Sequence, residues 1–120
     1  MKRVFKIINK MYKEKILMNY AVGGAVATIY YTEPFATKDV DIFFTPSEKG
    51  KLILLTPFYD YLLKRGYKPD KEYIMIGETP VQFIPATDEL ENEAIQNAIS
   101  VSYQNIEVKI ITQENLIAIF

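Results

Sequence analysis

The sequence predicts an α/β (α+β) domain in which helices pack on a mixed β-sheet. Two observations predict this class. Runs rich in β-branched and aromatic residues alternate with segments whose apolar residues recur at helical spacing, and glycine, proline and asparagine punctuate the boundaries. The resulting order of elements is α, β, α, β, α, ββ, α, ββ, α. A length of 120 residues fits a single domain.

The first predicted helix, residues 2–15, is strongly basic. Apolar residues recur at helical spacing from Val4 to Met11. The segment contains six basic residues and one acidic residue, Glu14, so its net charge is +5. The six are Lys2, Arg3, Lys6, Lys10, Lys13 and Lys15. Such a strip is either a solvated outer face or a surface that faces phosphate or RNA.

The later elements follow from cap and turn signals. The Thr56 hydroxyl is expected to cap one helix, and Asp88 another, with Glu91 completing a capping box. Leu90 is expected on the inner stripe of that second helix. The predicted strands span 16–22, 39–45, 72–76, 80–84, 100–103 and 106–111, and the helices span 25–31, 56–66, 88–98 and 112–120.

The composition excludes several chemistries. The chain has no cysteine and no histidine, so disulfides, thiol nucleophiles, cysteine–zinc sites and histidine acid–base catalysis are excluded. Any metal must be held by oxygen ligands, which favours Mg²⁺, Mn²⁺ or Ca²⁺. A net charge of −1 provides no global basic field, and the apolar runs are too short to span a bilayer. The expected location is the cytoplasm.

A pair of aspartates opens the predicted strand 39–45. Residues two apart in a strand project from the same face, so Asp39 and Asp41 are expected side by side, with Val40 facing the core. Two neighbouring carboxylates repel each other unless a cation lies between them. The pair therefore indicates either a Mg²⁺ site completed by substrate phosphates or two exposed aspartates at a strand end.

A glycine pair, Gly23-Gly24, ends the first predicted strand and precedes a helix. Glycines at such a position let the backbone approach a phosphate, and the amides at the helix start point at the anion. A tight turn is the alternative explanation. Together with Asp39 and Asp41, the pair suggests a site for a metal-bound nucleotide.

These residues resemble a known signature. Residues 22–27 (Val-Gly-Gly-Ala-Val-Ala) and 37–42 (Thr-Lys-Asp-Val-Asp-Ile) resemble the Gly-Gly and Asp-x-Asp motifs of the nucleotidyltransferase superfamily, that of DNA polymerase beta. The likeness is closer to small prokaryotic nucleotidyltransferases of the abortive-infection toxin type. It continues through 80–85, 88–98 and 114–118.

The resemblance implies the nucleotidyltransferase fold and a reaction. Asp39 and Asp41 would be the catalytic residues, holding Mg²⁺ (or Mn²⁺) on the phosphates of an NTP. Gly23 and Gly24 would cradle the triphosphate, and Thr37 and Lys38 would contact phosphate. A surface lysine balancing the two aspartates is an alternative for Lys38. The acceptor hydroxyl, on RNA, a protein or a small molecule, would attack the α-phosphate and release pyrophosphate.

The sequence departs from the family at Gln82. Active relatives place a third carboxylate on a later strand, and Gln82 occupies that position here. Glutamine offers a carbonyl oxygen but cannot accept a proton. Glu78 or Asp88 could substitute, although both also fit as a turn residue and a helix cap. The chain is therefore expected to be either an active enzyme or a catalytically impaired nucleotide-binding or interaction module of a toxin–antitoxin-like pair.

The C-terminus is the second departure, since relatives continue beyond it. Residues 1–120 are expected to form one nucleotidyltransferase-like domain that is shortened there. Its last turns are densely apolar, which predicts either self-association through this end or a frayed tail. A cognate partner protein is a further expectation of the toxin–antitoxin-like alternative. The apolar residues are Leu116, Ile117, Ile119 and Phe120.

Overall fold

Alternating apolar residues build a seven-stranded mixed sheet with three helices in the part of the chain that the structure describes. The structure is a computed structural model, and it describes residues 2–23, 39–46, 55–103, 105–112 and 114–115. The helices are α1 (Lys2–Lys13), α2 (Thr56–Leu63) and α3 (Glu89–Gln96). The strands are β1 (Tyr20–Gly23), β2 (Val40–Phe44), β3 (Lys68–Asp70), β4 (Tyr73–Ile76), β5 (Thr79–Pro85), β6 (Ile99–Tyr103) and β7 (Ile106–Ile110).

The strand order across the sheet is β3-β4-β5-β2-β1-β7-β6. At its centre β1 and β2 run antiparallel, and each has a parallel neighbour on its outer side, β7 beside β1 and β5 beside β2. Antiparallel strands complete both margins. The predicted mixed sheet with packed helices is therefore confirmed. No helix of the described residues is long and apolar enough to cross a membrane.

Helices cover both faces of the sheet. On the face covered by α1 and α2, called here the α1 face, Val40, Ile42 and Phe44 of β2 are buried in the main core. Phe58 of α2 anchors that side, with its ring centroid 4.9 Å from that of Phe44. The other face, called the α3 face, packs a smaller cluster that includes Phe43 against α3. Alternation along β2 thus sends Asp41 to the α3 face, together with Phe43.

The first strand begins later than the sequence predicts. Residues 16–19 are apolar enough to suggest extended chain, but they follow a helix end that bends the backbone. Lys15 adopts a left-handed conformation (φ 63°), and the Ile16 amide donates to the Met11 carbonyl at 2.9 Å. This is a Schellman ending, which satisfies the last carbonyls of α1. Leu17 is buried in the core from this turn rather than from a strand.

The cap signals were right for one helix and wrong for the other. Asp88 caps α3, since its side chain accepts from the Glu91 amide at 2.8 Å, while the Glu91 carboxylate returns to the Thr87 amide rather than to Asp88. No side chain caps α2, because Thr56 already lies inside the helix. Leu90 was expected on the inner stripe of α3 but is 48% exposed.

The second half otherwise follows the predicted elements. The hairpins β4–β5 and β6–β7 form as expected, and Gly66 ends α2 with φ 87°. The Asn115 amide donates to the Thr112 hydroxyl, which matches the helix start predicted near Thr112. The predicted helix 25–31 and the apolar cluster 116–120 lie outside the described residues, as do 47–54.

Candidate nucleotide and metal site

Three predicted site residues lie in one row across neighbouring strands. Gly23 on β1 pairs with Asp41 on β2, and Asp41 pairs with Gln82 on β5. Neighbouring strands lie roughly 4.8 Å apart, and paired residues project from the same face. The register therefore places Gln82 directly beside Asp41 on the α3 face. This is the position at which the resemblance expects a third carboxylate.

The two aspartates interact electrostatically. Asp39 immediately precedes β2, and Val40 between the two is fully buried on the opposite face. Partial burial, and then the negative charge of Asp39, raise the pKa of Asp41 above the usual 3.8. A carboxylate pair of this kind is stabilised by a cation, because the cation offsets both the desolvation and the repulsion.

Within the described residues, no group of three or more acidic side chains is arranged to hold a metal ion. Asp88 is occupied as the cap of α3. Glu78 lies in the β4–β5 turn, exposed, where it lines a groove of about 430 Å³ with Arg3 and Thr79. The strand register and the charge interaction instead bring together oxygen donors from Asp39, Asp41 and Gln82.

Gly23 has a packing role that sequence reasoning did not find. A Cβ at this position would lie 2.9 Å from Cδ1 of Ile111 and 3.4 Å from the ring of Phe43. A side chain at this position would therefore have to displace the end of the Ile111 side chain, and glycine lets β1 pass closely between these two buried residues. Its predicted contact with a triphosphate remains a prediction, as do the roles of Gly24, Thr37 and Lys38, which lie outside the described residues.

Tyr73 is a further neighbour of the site that the sequence did not indicate. Ile74 of β4 pairs with Val81 of β5, so the same antiparallel register brings Tyr73 level with Gln82. Partial burial and the negative charges of Glu72, Asp39 and Asp41 raise the pKa of Tyr73. Its ring therefore extends the row of site residues onto β4. The pairing of β4 with β5 reveals this position of Tyr73, which no motif in the sequence around Tyr73 indicates.

The raised pKa of Asp41 predicts that replacing this carboxylate stabilises the metal-free protein. Ionised Asp41 costs stability at neutral pH, because its pKa is higher in the folded chain than in the unfolded one. We expect Asp41→Asn to raise the urea midpoint at pH 7 in EDTA. The advantage should shrink as the pH falls through the folded pKa and should vanish below 3.8, where Asp41 becomes protonated in both the folded and the unfolded state.

The matched control for this measurement is Asp60→Asn, at an exposed position on α2. This substitution also removes one negative charge, but at a position distant from the site. It should leave the urea midpoint nearly unchanged at pH 7 and at low pH. Equal midpoints for the parent and Asp41→Asn at pH 7 would contradict the expectation.

The chain shares its fold with a nucleotidyltransferase of known structure. Among solved structures, the chain is similar to ANT(2″)-Ia, an aminoglycoside nucleotidyltransferase, in complex with adenylyl-2″-tobramycin. The TM-score is 0.57 at 19% sequence identity, over 94% of this chain and 71% of that one. The sequence matches no family model and no curated protein. The likeness establishes the fold, while the toxin-type subgroup stays a prediction.

Proposed function

We propose that this chain is a nucleotidyltransferase, which moves a nucleoside monophosphate from an NTP to an acceptor hydroxyl. The observation that carries the proposal is the arrangement of the site residues. Gly23, Asp41 and Gln82 form a row on one face of the sheet. The negative charge of Asp39 contributes to the raised pKa of Asp41 in that row. The similarity to the fold of ANT(2″)-Ia supports it.

The donor set fits a hard divalent cation, Mg²⁺ or Mn²⁺. Asp39 and Asp41 would hold it, because Mg²⁺ is usually bound by one or two carboxylates together with substrate phosphates and water. Gln82 would add a neutral carbonyl oxygen. When bound, such an ion neutralises charge on the phosphates and lowers the pKa of a nearby hydroxyl.

The reaction forms a bond from the acceptor oxygen to the α-phosphorus and breaks the bond from that phosphorus to the bridging oxygen. Pyrophosphate leaves, and the hydroxyl proton must pass to a base. Gln82 cannot take it. In this proposal the chain binds and orients the nucleotide, through Gly23, Gly24, Thr37 and Lys38, while the proton leaves to solvent or to the substrate itself. The expected rate is therefore low.

A second candidate function is a catalytically impaired nucleotide-binding module, such as one member of a toxin–antitoxin-like pair. The observation that favours it is again the register, since the residue beside Asp41 is an amide. In this candidate the carboxylate pair and the glycine turn would still bind a nucleotide. Both candidates therefore predict binding, and only the enzyme predicts transfer.

Label transfer separates the two candidates. Each α-³²P-labelled NTP is incubated with protein and Mg²⁺ or Mn²⁺, in the presence of total RNA, total protein or tobramycin. The last acceptor is included because the ANT(2″)-Ia complex holds its adenylated form. An enzyme labels one acceptor class, and Asp39→Asn/Asp41→Asn abolishes the label. NTP binding without label in any arm supports the impaired module.

A further inference from the structure

The outer face of α1 carries a narrow stripe of positive charge. At about 100° per residue, the stripe spans an arc of about 100°. We call these side chains the basic stripe: Lys2, Arg3, Lys6, Lys10 and Lys13, all exposed. The opposite side of α1 is anchored in the core, where Val4, Ile8 and Met11 are at most 1% exposed. The orientation of the stripe is therefore fixed by packing.

The positive charge is concentrated on this helix rather than spread over the molecule. Residues 2–15 carry +5 in a chain whose net charge is −1, so the remainder carries −6. The acid of this segment, Glu14, is engaged elsewhere. It accepts from the Tyr61 hydroxyl at 2.9 Å and lies 4.0 Å from the Arg65 guanidinium. Arg65 adds a further positive charge near the end of α1.

The dimensions and chemistry of the stripe favour an extended polyanion. From Lys2 to Lys13 the helix rises roughly 16 Å, and each step of four residues rises roughly 6 Å. The large apolar side chains that are exposed in the described residues are Met18, Leu63, Leu90 and Ile99, and none lies on α1. Insertion into a lipid surface needs an exposed apolar face, and protein interfaces need apolar or aromatic anchors. The stripe offers neither.

We propose that the basic stripe of α1 binds the phosphate backbone of a single-stranded nucleic acid. The stripe lies on the face of the sheet opposite Asp41, so a bound strand is kept apart from the site carboxylates. This surface does not depend on nucleotidyl transfer. An extended single strand can follow a straight stripe of this length and bring several of its phosphates to the basic side chains.

The number of charges sets the expected salt dependence. Neutralising phosphates of a single strand gives a slope of log K against log salt of about −0.7 per contact, hence about −3.5 for five contacts. Raising the salt from about 50 to 200 mM should then weaken binding about 100-fold.

The test is fluorescence anisotropy with a fluorescein-labelled oligouridylate in EDTA, which removes any metal-dependent nucleotide binding. The variant Lys2→Gln/Lys6→Gln/Lys10→Gln retains helix propensity and removes three charges. It should reduce the slope to about −1.4 and the affinity at low salt by about 100-fold or more. The matched control, Lys64→Gln/Lys68→Gln/Lys71→Gln, removes three exposed charges elsewhere and should bind like the parent.

Other results would overturn the proposal. Equal losses in both triple variants would show diffuse attraction by net charge. A parent slope shallower than about −1, or no binding at low salt, would leave no role for the stripe. Tighter binding to duplex DNA than to the oligouridylate would exclude a single-strand surface. Stripe-dependent binding to phosphatidylserine vesicles but not to the oligouridylate would identify a membrane surface instead.

Discussion

Mg²⁺–NTP at about 100 times its dissociation constant is expected to raise the free energy of unfolding of the parent protein by about 2.7 kcal/mol. The same addition should leave Asp39→Asn/Asp41→Asn unchanged. The physical reason is that the two carboxylates supply the negative charge on which a cation and its bound phosphates depend. Thermal or urea unfolding with and without Mg²⁺–NTP measures the difference directly.

A control is needed to show that Asp39→Asn/Asp41→Asn fails to respond to Mg²⁺–NTP because it does not bind it, and not because it is unfolded. Urea unfolding in EDTA checks that the double variant is folded, and the substitutions relieve the repulsion that raises the pKa of Asp41. The matched control is Asp60→Asn/Glu107→Gln, which removes two exposed carboxylates on other elements and should keep the full response. An equal rise for the parent and for Asp39→Asn/Asp41→Asn would place nucleotide binding elsewhere.

Gln82→Asp is expected to increase metal affinity and, if the chain is an enzyme, to raise the rate of label transfer by about 10²–10⁴-fold. The register places the new carboxylate beside Asp41, so it can share a metal or take the acceptor proton. Metal titration followed by unfolding, and the label-transfer assay with the productive acceptor, measure the two effects separately.

Gln82→Asn is the matched control for side-chain length, since it shortens the side chain without adding charge. It should change neither metal affinity nor transfer. In EDTA, Gln82→Asp should be less stable than Gln82→Asn, because three carboxylates would then lie together. Unchanged metal binding together with a large loss of stability in both variants would instead identify Gln82 as a structural residue.

Local sequence predicted the parts of the site that depend on a single strand. Two-residue spacing is enough to put Asp39 and Asp41 on one face, and the effect of Asp39 on Asp41 agrees with that placement. The alternation of Val40 and Ile42 into the core likewise follows from period two. The neighbour relation of Asp41 and Gln82 depends on strand pairing, and the sequence indicated it only through the family resemblance.

Elements without a local signature were missed or misplaced. Strand β3 is exposed at all three positions, so it carries no apolar alternation and exists because it pairs with β4. Residues 16–19 are apolar for another reason, since the turn after α1 buries Leu17. Tyr73 and the packing around Gly23 involve residues far apart in sequence, which no pattern in a single segment can reveal.

The parallel register of β2 and β5 also has a genetic consequence. Glutamine and glutamate codons differ only at their first base, and the two side chains have nearly the same shape. A single base change in the Gln82 codon would thus place a carboxylate beside Asp41. One base change therefore separates this chain from a site with three carboxylates, and the reverse change would remove the third carboxylate again.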